Sequence, residues 1–314
     1  MIPMVRKIRL MDGWEIERQF VRHLNTHQNR DHCLYLGDCS RSWLQFETAN
    51  EFSDSHKLTD LLRDHIDLLA ESMGSRHLLS VGITNTVREA LILQHMTQSP
   101  PLPRQYVCVD INEGGLNRAA GLAQTLNIEA LCVIAMSHQL RQVRKFCKGP
   151  VVLAMLGNHF CNYDPTELLQ AVNTTLDSDD LLLFDCALFS PDAQQMIDVC
   201  NCHLKKLRNI VPLLNRGITR QDYELELKLS KRHVREMEIH RTEKQVTFRS
   251  DCRIATNSEP IHFKPDDTIQ MGFTFRYKAP QILALVDDGG FDILQTHLDR
   301  DHENLLVLAK RKRP

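Results

Sequence analysis

Five short apolar runs, "HLLSVG", "QYVCVD", "ALCVIA", "VVLAMLG" and "DLLLFDC", recur between His77 and Cys186. Each is too short for a helix and rich in Val, Leu, Ile or Cys. Each is also nearly continuous in its apolarity, as strands buried on both faces are. Between them, Val87–Met96, Gly115–Thr125 and Pro165–Thr175 carry amphipathic helical spacing. Strand–helix alternation of this kind leads to an α/β fold, a doubly wound parallel sheet covered by helices on both sides. The Pro-rich "SPPLPRQ" reads as a rigid link from a helix back to the next strand.

The flanks read differently. Residues 1–75 look like a helical segment packing on the core, with Leu58, Leu61, Leu62, Ile66 and Leu69 on one face of "LTDLLRDHIDLLAESM". After Cys186 comes a long helix over about 193–212. The charged stretches "REMEIHR" and "KQVTFRS" that follow alternate with apolar residues at period two, as antiparallel strands with one wet face do. Residues 193–279 are therefore expected to form a second, smaller α+β lobe. Residues 76–192 and 280–314 make the core, completed by two strands in "GGFDILQTHLDRDHENLLVLAKR" that return to the sheet.

Composition excludes more than it assigns. With 42% hydrophobic and 25% charged residues this is a soluble globular chain. A formal charge of −2 leaves no electrostatic footprint for nucleic acid, and the basic "KRKRP" reads as a solvated end. Neither a signal-peptide run nor a membrane span is visible, so a cytoplasmic protein with reduced cysteines is expected. The ten cysteines include no C-x-x-C, H-E-x-x-H is absent, and no metal site is expected.

The stretch "HLLSVGITNTVREA" has the shape of a nucleotide-binding βα turn, but Thr84 stands where a second glycine would let the backbone touch a pyrophosphate. Asp110 closes the next strand, where a carboxylate can hold ribose hydroxyls. A cofactor with a ribose and no pyrophosphate satisfies both facts, which points to S-adenosylmethionine (SAM) over a nicotinamide. Arg88, one turn into the following helix, is placed to pair with the methionyl carboxylate. Ligands of open α/β sheets lie at strand carboxyl ends, and three such ends are unusual here: "SVGITN", "VDINEGG" and "MLGNHFCNYDP". Gly82, Thr84, Arg88, Asp110, Ile111, Gly157 and Asn158 are thus the candidate cofactor-binding residues.

At these strand ends the chain resembles the SAM-dependent histidine Nα-methyltransferases of ergothioneine biosynthesis. "MLGNHFCNYDPTELLQAVNTTLDSDDLLLFDCAL" is similar to their Gly-Ser-x-x-Gly-Asn-x-x-Pro stretch and the Gly-Asp-x-Leu-Leu-Leu strand after it. "LLNRGITRQDYEL" is similar to their Asn-Arg-Glu-Leu-x-x-x-Phe-Asp motif, and "REMEIHRTEKQV" to Arg-x-Glu-Met-x-Leu followed by Gln-x-Val. More weakly, "YLGDCSRSWLQFETANEF" is similar to an N-terminal Tyr-Asp-x-x-Gly-Ser-x-Leu-Phe and Pro-Glu-Tyr. The matches run in order from about Tyr35 to the end.

The resemblance implies a Rossmann-like methyltransferase fold in which Gly82 and Asp110 bind SAM and Arg88 replaces a lysine. It also implies that Asn162 holds the substrate's amino-acid end. Phe52 and Ser53 fall on two tyrosines after Pro-Glu, the second a substrate contact, and Thr274 on a serine that reads the histidine imidazole. The departures bear on specificity. Gly272 stands where the histidine enzymes carry an imidazole-binding glutamate, "SDSHK" replaces an aromatic-Pro-Thr-Arg run, "VIAMSHQ" lacks the adenine-site Asp, and Ser80 replaces a Glu. These changes leave the fold and SAM binding expected and histidine specificity not. The expectation is a SAM-dependent N-methyltransferase of an amino acid or its derivative, in secondary metabolism. The alternatives are a catalytically silent SAM- or partner-binding relative, or a SAM enzyme performing non-methyl transfer or cyclisation.

Overall fold

The computed structural model describes residues 4–26, 53–83, 85–98, 105–190, 216–219, 221–257 and 259–313. The helix expected over 193–212 and the Pro-rich link lie outside these residues. The chain divides into two compact units. The first holds residues 4–10, the described residues from Ser53 to Leu188, and 277–313. The second holds residues 11–26 and the described residues from Phe189 to Arg276.

The first unit begins with β1 (Val5–Arg9), followed after the gap by α2 (Ser53–Met73), β2 (His77–Val81) and α3 (Val87–Gln98). Next come β3 (Gln105–Asp110), α4 (Glu113–Thr125), β4 (Glu129–Ile134), α5 (Leu140–Arg144), β5 (Val151–Met155), α6 (Pro165–Thr175) and β6 (Leu181–Ala187). The unit closes with α7 (Ala279–Asp288), β12 (Phe291–Leu298) and β13 (Asn304–Arg311). Their sheet has eight strands among the described residues, in the order β1-β4-β3-β2-β5-β6-β13-β12. β1 to β6 are parallel, and β13 runs antiparallel to β6 and β12. The five apolar runs are β2 to β6, and β5 and β6 are buried at every position. This is a Rossmann-like doubly wound sheet, with the final strand pair returning to it as expected.

Local chemistry fixes the ends of the helices. Asn112 caps α4 by accepting from Gly114 N at 2.8 Å, and Asp164 caps α6 by accepting from Thr166 N at 3.0 Å with Pro165 at the first turn. The α2 stripe named above is buried, with Leu62 and Leu69 fully covered in a core shared with Leu78, Tyr106, Ala130 and Leu183. One expectation fails here, because Val5–Arg9 is an edge strand registered on Ala130–Ile134 and not part of a helical segment. Its "VRKIR" has no apolar alternation. Charged edge residues hold it instead, Lys7 donating to Asn117 Oδ1 at 2.6 Å and Arg6 lying 3.5 Å from Glu129.

The second unit contains α1 (Gly13–Asn25), β7 (Tyr223–Val234), β8 (Met237–Phe248), β9 (Cys252–Ile254), β10 (Ile261–Phe263) and β11 (Thr268–Arg276). β11-β8-β7 form an antiparallel sheet and β10-β9 a small ribbon, as the period-two charge pattern required. Read from sequence as part of a segment on the main core, α1 instead gives Phe20 and Leu24 to this unit's core, with Val246, Phe248, Phe263 and Ile269. Arg216 fixes α1 further, pairing with Glu17 at 2.6 Å and lying 4.5 Å over the Phe20 ring.

Candidate active site

The strand order reverses at β2, which has β3 on one side and β5 on the other, and in open α/β sheets ligands lie beyond the strand carboxyl ends at such a switch point. All three unusual strand ends meet there. Gly82 leaves β2 with φ +79 and donates its N–H to Val109 O at 3.0 Å. A side chain at 82 would be strained by that φ, and its Cβ would lie 2.5 Å from the His159 ring. The bare glycine therefore lets a neighbouring group approach the backbone closely.

Asp110 is not the helix cap, a role taken by Asn112. Its Oδ2 accepts from Ile83 N and its Oδ1 from Asn112 N, both at 2.7 Å, so one carboxylate joins the β2 loop to the end of β3. Burial lifts this carboxyl to about 7, although N–H groups of Asn112, Ile83 and Ile111 and the charge of Arg118 pull the other way. Ile111 itself is buried and contributes through its backbone.

Beyond β5, Gly157 and Asn158 form a turn with φ of +76 and +62. Asp185 of β6 holds that turn, accepting from Gly157 N at 2.9 Å and from Asn158 N at 2.6 Å. Asn158 Oδ1 in turn accepts from Ala187 N at 2.9 Å. Arg88 lies on this assembly, only 3% exposed, with its Nε 3.9 Å from Asp185 Oδ2. A Cβ at 157 would come within 2.7 Å of the guanidinium. Arg88 is thus in the interior beside Asp185 and not on a solvated helix face.

The segment after the turn carries His159 and Asn162 in one 3-10 turn (His159–Asn162), directly before the Asp164 cap. His159 Nε2 and the Tyr163 hydroxyl are 3.0 Å apart. Burial pushes the imidazole down to about 4, so at neutral pH the ring beside Gly82 carries no charge. At Ser80, where the resemblance implies a lost glutamate, the hydroxyl donates to Glu89 Oε1 of α3 at 2.8 Å, with both residues buried. A carboxylate is thus returned to that strand position from the helix.

In the second unit Thr274 lies in β11 opposite Thr242, and Gly272 opposite Lys244. Gly272 does not make a turn. It sits inside the strand at a bulge, where the register shifts between Gln270 and Gly272 and φ reaches 145. Thr84 and Phe52 lie outside the described residues, and of Ser53 only its place at the start of α2 is described.

Sequence reasoning gave no role to Asp185, His159 or Glu89. Asp185 was the most legible of the three, as the one acid inside the apolar run "LLLFDC", where a charge survives only if it is paired and hydrogen-bonded.

The sequence matches the family described as histidine-specific, SAM-dependent methyltransferases over residues 17–311, and the chain belongs to that family. No curated protein matches it. Solved structures similar to it include a SAM-dependent methyltransferase from Clostridium acetobutylicum (11% identity, 82% of this chain and 92% of that one, TM-score 0.43). Another is the Burkholderia thailandensis 1,6-didemethyltoxoflavin-N1-methyltransferase (9% identity, 88% and 89% covered, TM-score 0.44).

Proposed function

We propose that this enzyme N-methylates an amino acid, or a small molecule derived from one, other than histidine. The observation that carries the departure from histidine is Gly272. At the position where the histidine enzymes place a glutamate, this chain has a backbone-only residue in a bulge of β11. A cationic or imidazole side chain would lose its partner there, and a buried charge without one is costly.

The site residues fit SAM, whose bound sulfonium supplies the methyl group. Asp110 is offered to the ribose hydroxyls, with Ile83 and Ile111 setting its carboxylate. Gly82 and the Gly157–Asn158 turn allow close backbone approach. Arg88 acts through that turn by bracing it together with Asp185. The neutral His159 does not repel a cationic sulfonium, as an imidazolium would. Asn162 anchors the acceptor's amine or carboxylate, because its amide can both donate and accept. The acceptor amine must be uncharged at the nitrogen that attacks the methyl group. The protein's contribution is position and a dry site.

Incubation with SAM and a mixed amino-acid and metabolite pool, followed by mass spectrometry for the gain of one methyl group, tests this reading. A SAM-dependent methylated product other than methylhistidine supports it. Efficient histidine methylation removes the specificity claim, and binding of SAM with no methylated product removes the activity.

A further inference from the structure

Cys108 of β3 and Cys132 of β4 stand directly opposite each other in the parallel pair, with their Sγ atoms 3.3 Å apart and unbridged. Both are fully buried, and the chemistry of methyl transfer uses neither. Register extends the row across the sheet, with Lys7 of β1 beside Cys132 and Ser80 of β2 beside Cys108. The thiols are polarised along this row. Cys108 donates to the Cys132 sulfur, and Cys132 donates to Leu116 O of α4 at 3.6 Å. The hydrogen bond from Cys108 lowers the Cys132 thiol, burial opposes it, and the Lys7 charge lowers it further. The same bond, with burial, raises Cys108 well above the usual thiol range. Cys132 is therefore the sulfur that ionises first, with Cys108 held beside it.

A disulfide needs its Cα atoms about 4.4–6.8 Å apart, and neighbouring strands run about 4.8 Å apart, so this pair can be bridged without a change of register. Access comes from the side. β4 is one strand in from the sheet edge, and β1 beyond it is an edge strand held by charged residues. Lys7 reaches Asn117 of α4 at 2.6 Å and closes the seam between β1 and α4 next to Cys132. Local opening of an edge strand costs less than global unfolding, and hydrogen peroxide is hardly larger than the water that enters such a seam. The two sulfurs also lie under the Asp110 end of β3. Cys108 shares a face with Asp110, two residues on. Leu116, which receives the Cys132 S–H, donates its own N–H to Asn112 O at 3.3 Å, and the Asn112 N–H holds Asp110.

We propose that Cys108 and Cys132 are a redox modification site, closing to an intramolecular disulfide when a peroxide reaches Cys132 and thereby weakening SAM binding. The Cys132 thiolate attacks one peroxide oxygen, the O–O bond breaks, and hydroxide leaves. The Cys108 thiolate then attacks the sulfenic sulfur, the S–S bond forms, the S–O bond breaks, and a second hydroxide leaves. The protons of the two thiols complete two waters, so two thiols and one peroxide give one disulfide and two waters. The bond takes the Cys132 S–H away from Leu116 O, at one end of the chain of bonds that runs through Asn112 to Asp110. The effect on SAM rests on the reading of Asp110 as a ribose ligand, and the disulfide itself does not.

Hydrogen peroxide added to the full chain, followed by alkylation of the remaining thiols in denaturant and tryptic mass spectrometry, tests it. Cleavage leaves Cys108 in Gln105–Arg118 and Cys132 in Ala119–Arg141, each the sole cysteine of its peptide. The two peptides should appear joined, short of two hydrogens, and should separate on reduction with dithiothreitol. By calorimetry the oxidised chain should bind SAM roughly fivefold or more weakly and recover on reduction. Cys108→Ser and Cys132→Ala should each bind SAM as the reduced wild type does, form no joined peptide and keep that affinity after peroxide. Oxidation that stops at sulfenic or sulfinic acid, joins either cysteine to a different one, or leaves both thiols unreacted overturns the proposal. A joined wild type with unchanged SAM affinity, or a loss that persists in both variants, overturns the coupling to the cofactor site. Reduced wild type that binds no SAM removes the cofactor reading and leaves the disulfide standing.

Discussion

The Asp110 carboxylate accepts the backbone N–H of Ile83 at 2.7 Å, tying the loop after β2 to the end of β3. The proposed function gives this carboxylate to the ribose, and burial holds its proton until about pH 7. Hydrogen bonds from ribose hydroxyls favour the ionised form, so SAM affinity should fall as pH drops below about 7. Asp110→Asn should bind more weakly, by roughly 1.5–3 kcal/mol for a lost charge-assisted bond, and lose that pH dependence. Calorimetric titration of both proteins across neutral pH checks it. A wild-type affinity that is flat through this range, or an undiminished Asp110→Asn, removes Asp110 from the cofactor site.

Arg88 and Asp185 form a buried pair with Nε and Oδ2 3.9 Å apart, and Asp185 also holds two backbone N–H groups. Removing one partner of such a pair leaves the other charge buried and uncompensated, at a typical cost of 3–5 kcal/mol. Arg88→Met should therefore destabilise the protein strongly, as should Asp185→Leu, which also strips two donors of their acceptor. The double variant should cost less than the sum of the two. Denaturant unfolding of the three proteins measures the coupling. Strict additivity would show that the two side chains act independently.

What could be read from sequence and what could not divide along a physical line. Strands β2 to β6 were legible because burial on both faces leaves an unbroken apolar run, and Asp164-Pro165 marked the start of α6 by its own capping chemistry. β1 was invisible because a charged edge strand has no such run. The positions of Gly82 and Asp110 followed from the strand–turn–helix pattern. The bracing by Arg88, Asp185 and Glu89 did not, because each bond joins residues far apart in sequence or on different elements. Only a fold can bring Asp185 to Gly157. Glycine marks turns and bulges alike, and only the register between β8 and β11 places Gly272 at a bulge.

Ser80 and Glu89 are bonded at 2.8 Å in a buried setting. Glu89→Ala would leave the Ser80 hydroxyl buried without its acceptor, a loss of about 1–3 kcal/mol. Replacing both, as Ser80→Ala with Glu89→Leu, removes the unmet hydrogen bond and should recover part of that loss. Thermal unfolding of the single and double variants reports it, and a double variant no more stable than Glu89→Ala would contradict the account.

Burial makes His159 a pH-dependent contributor to stability. Its imidazole is pushed down from 6.5 to about 4 by burial, so the unfolded chain takes up a proton over a range where the folded chain does not. Between these values the unfolded state binds more protons, and stability falls as pH is lowered from about 6.5 towards about 4, with no further loss from this group below that. The gap corresponds to roughly 3 kcal/mol at most. His159→Phe keeps an aromatic ring beside Gly82 but cannot take up the proton, and it gives up the contact with the Tyr163 hydroxyl. That variant should be less stable near neutral pH, where the lost contact is felt, and should show a shallower decline through mildly acidic pH. Urea unfolding of both proteins at several pH values separates the two effects. If the wild type and His159→Phe lose stability in parallel as pH falls, the titration belongs to other groups, and the ring beside Gly82 is not held neutral by burial.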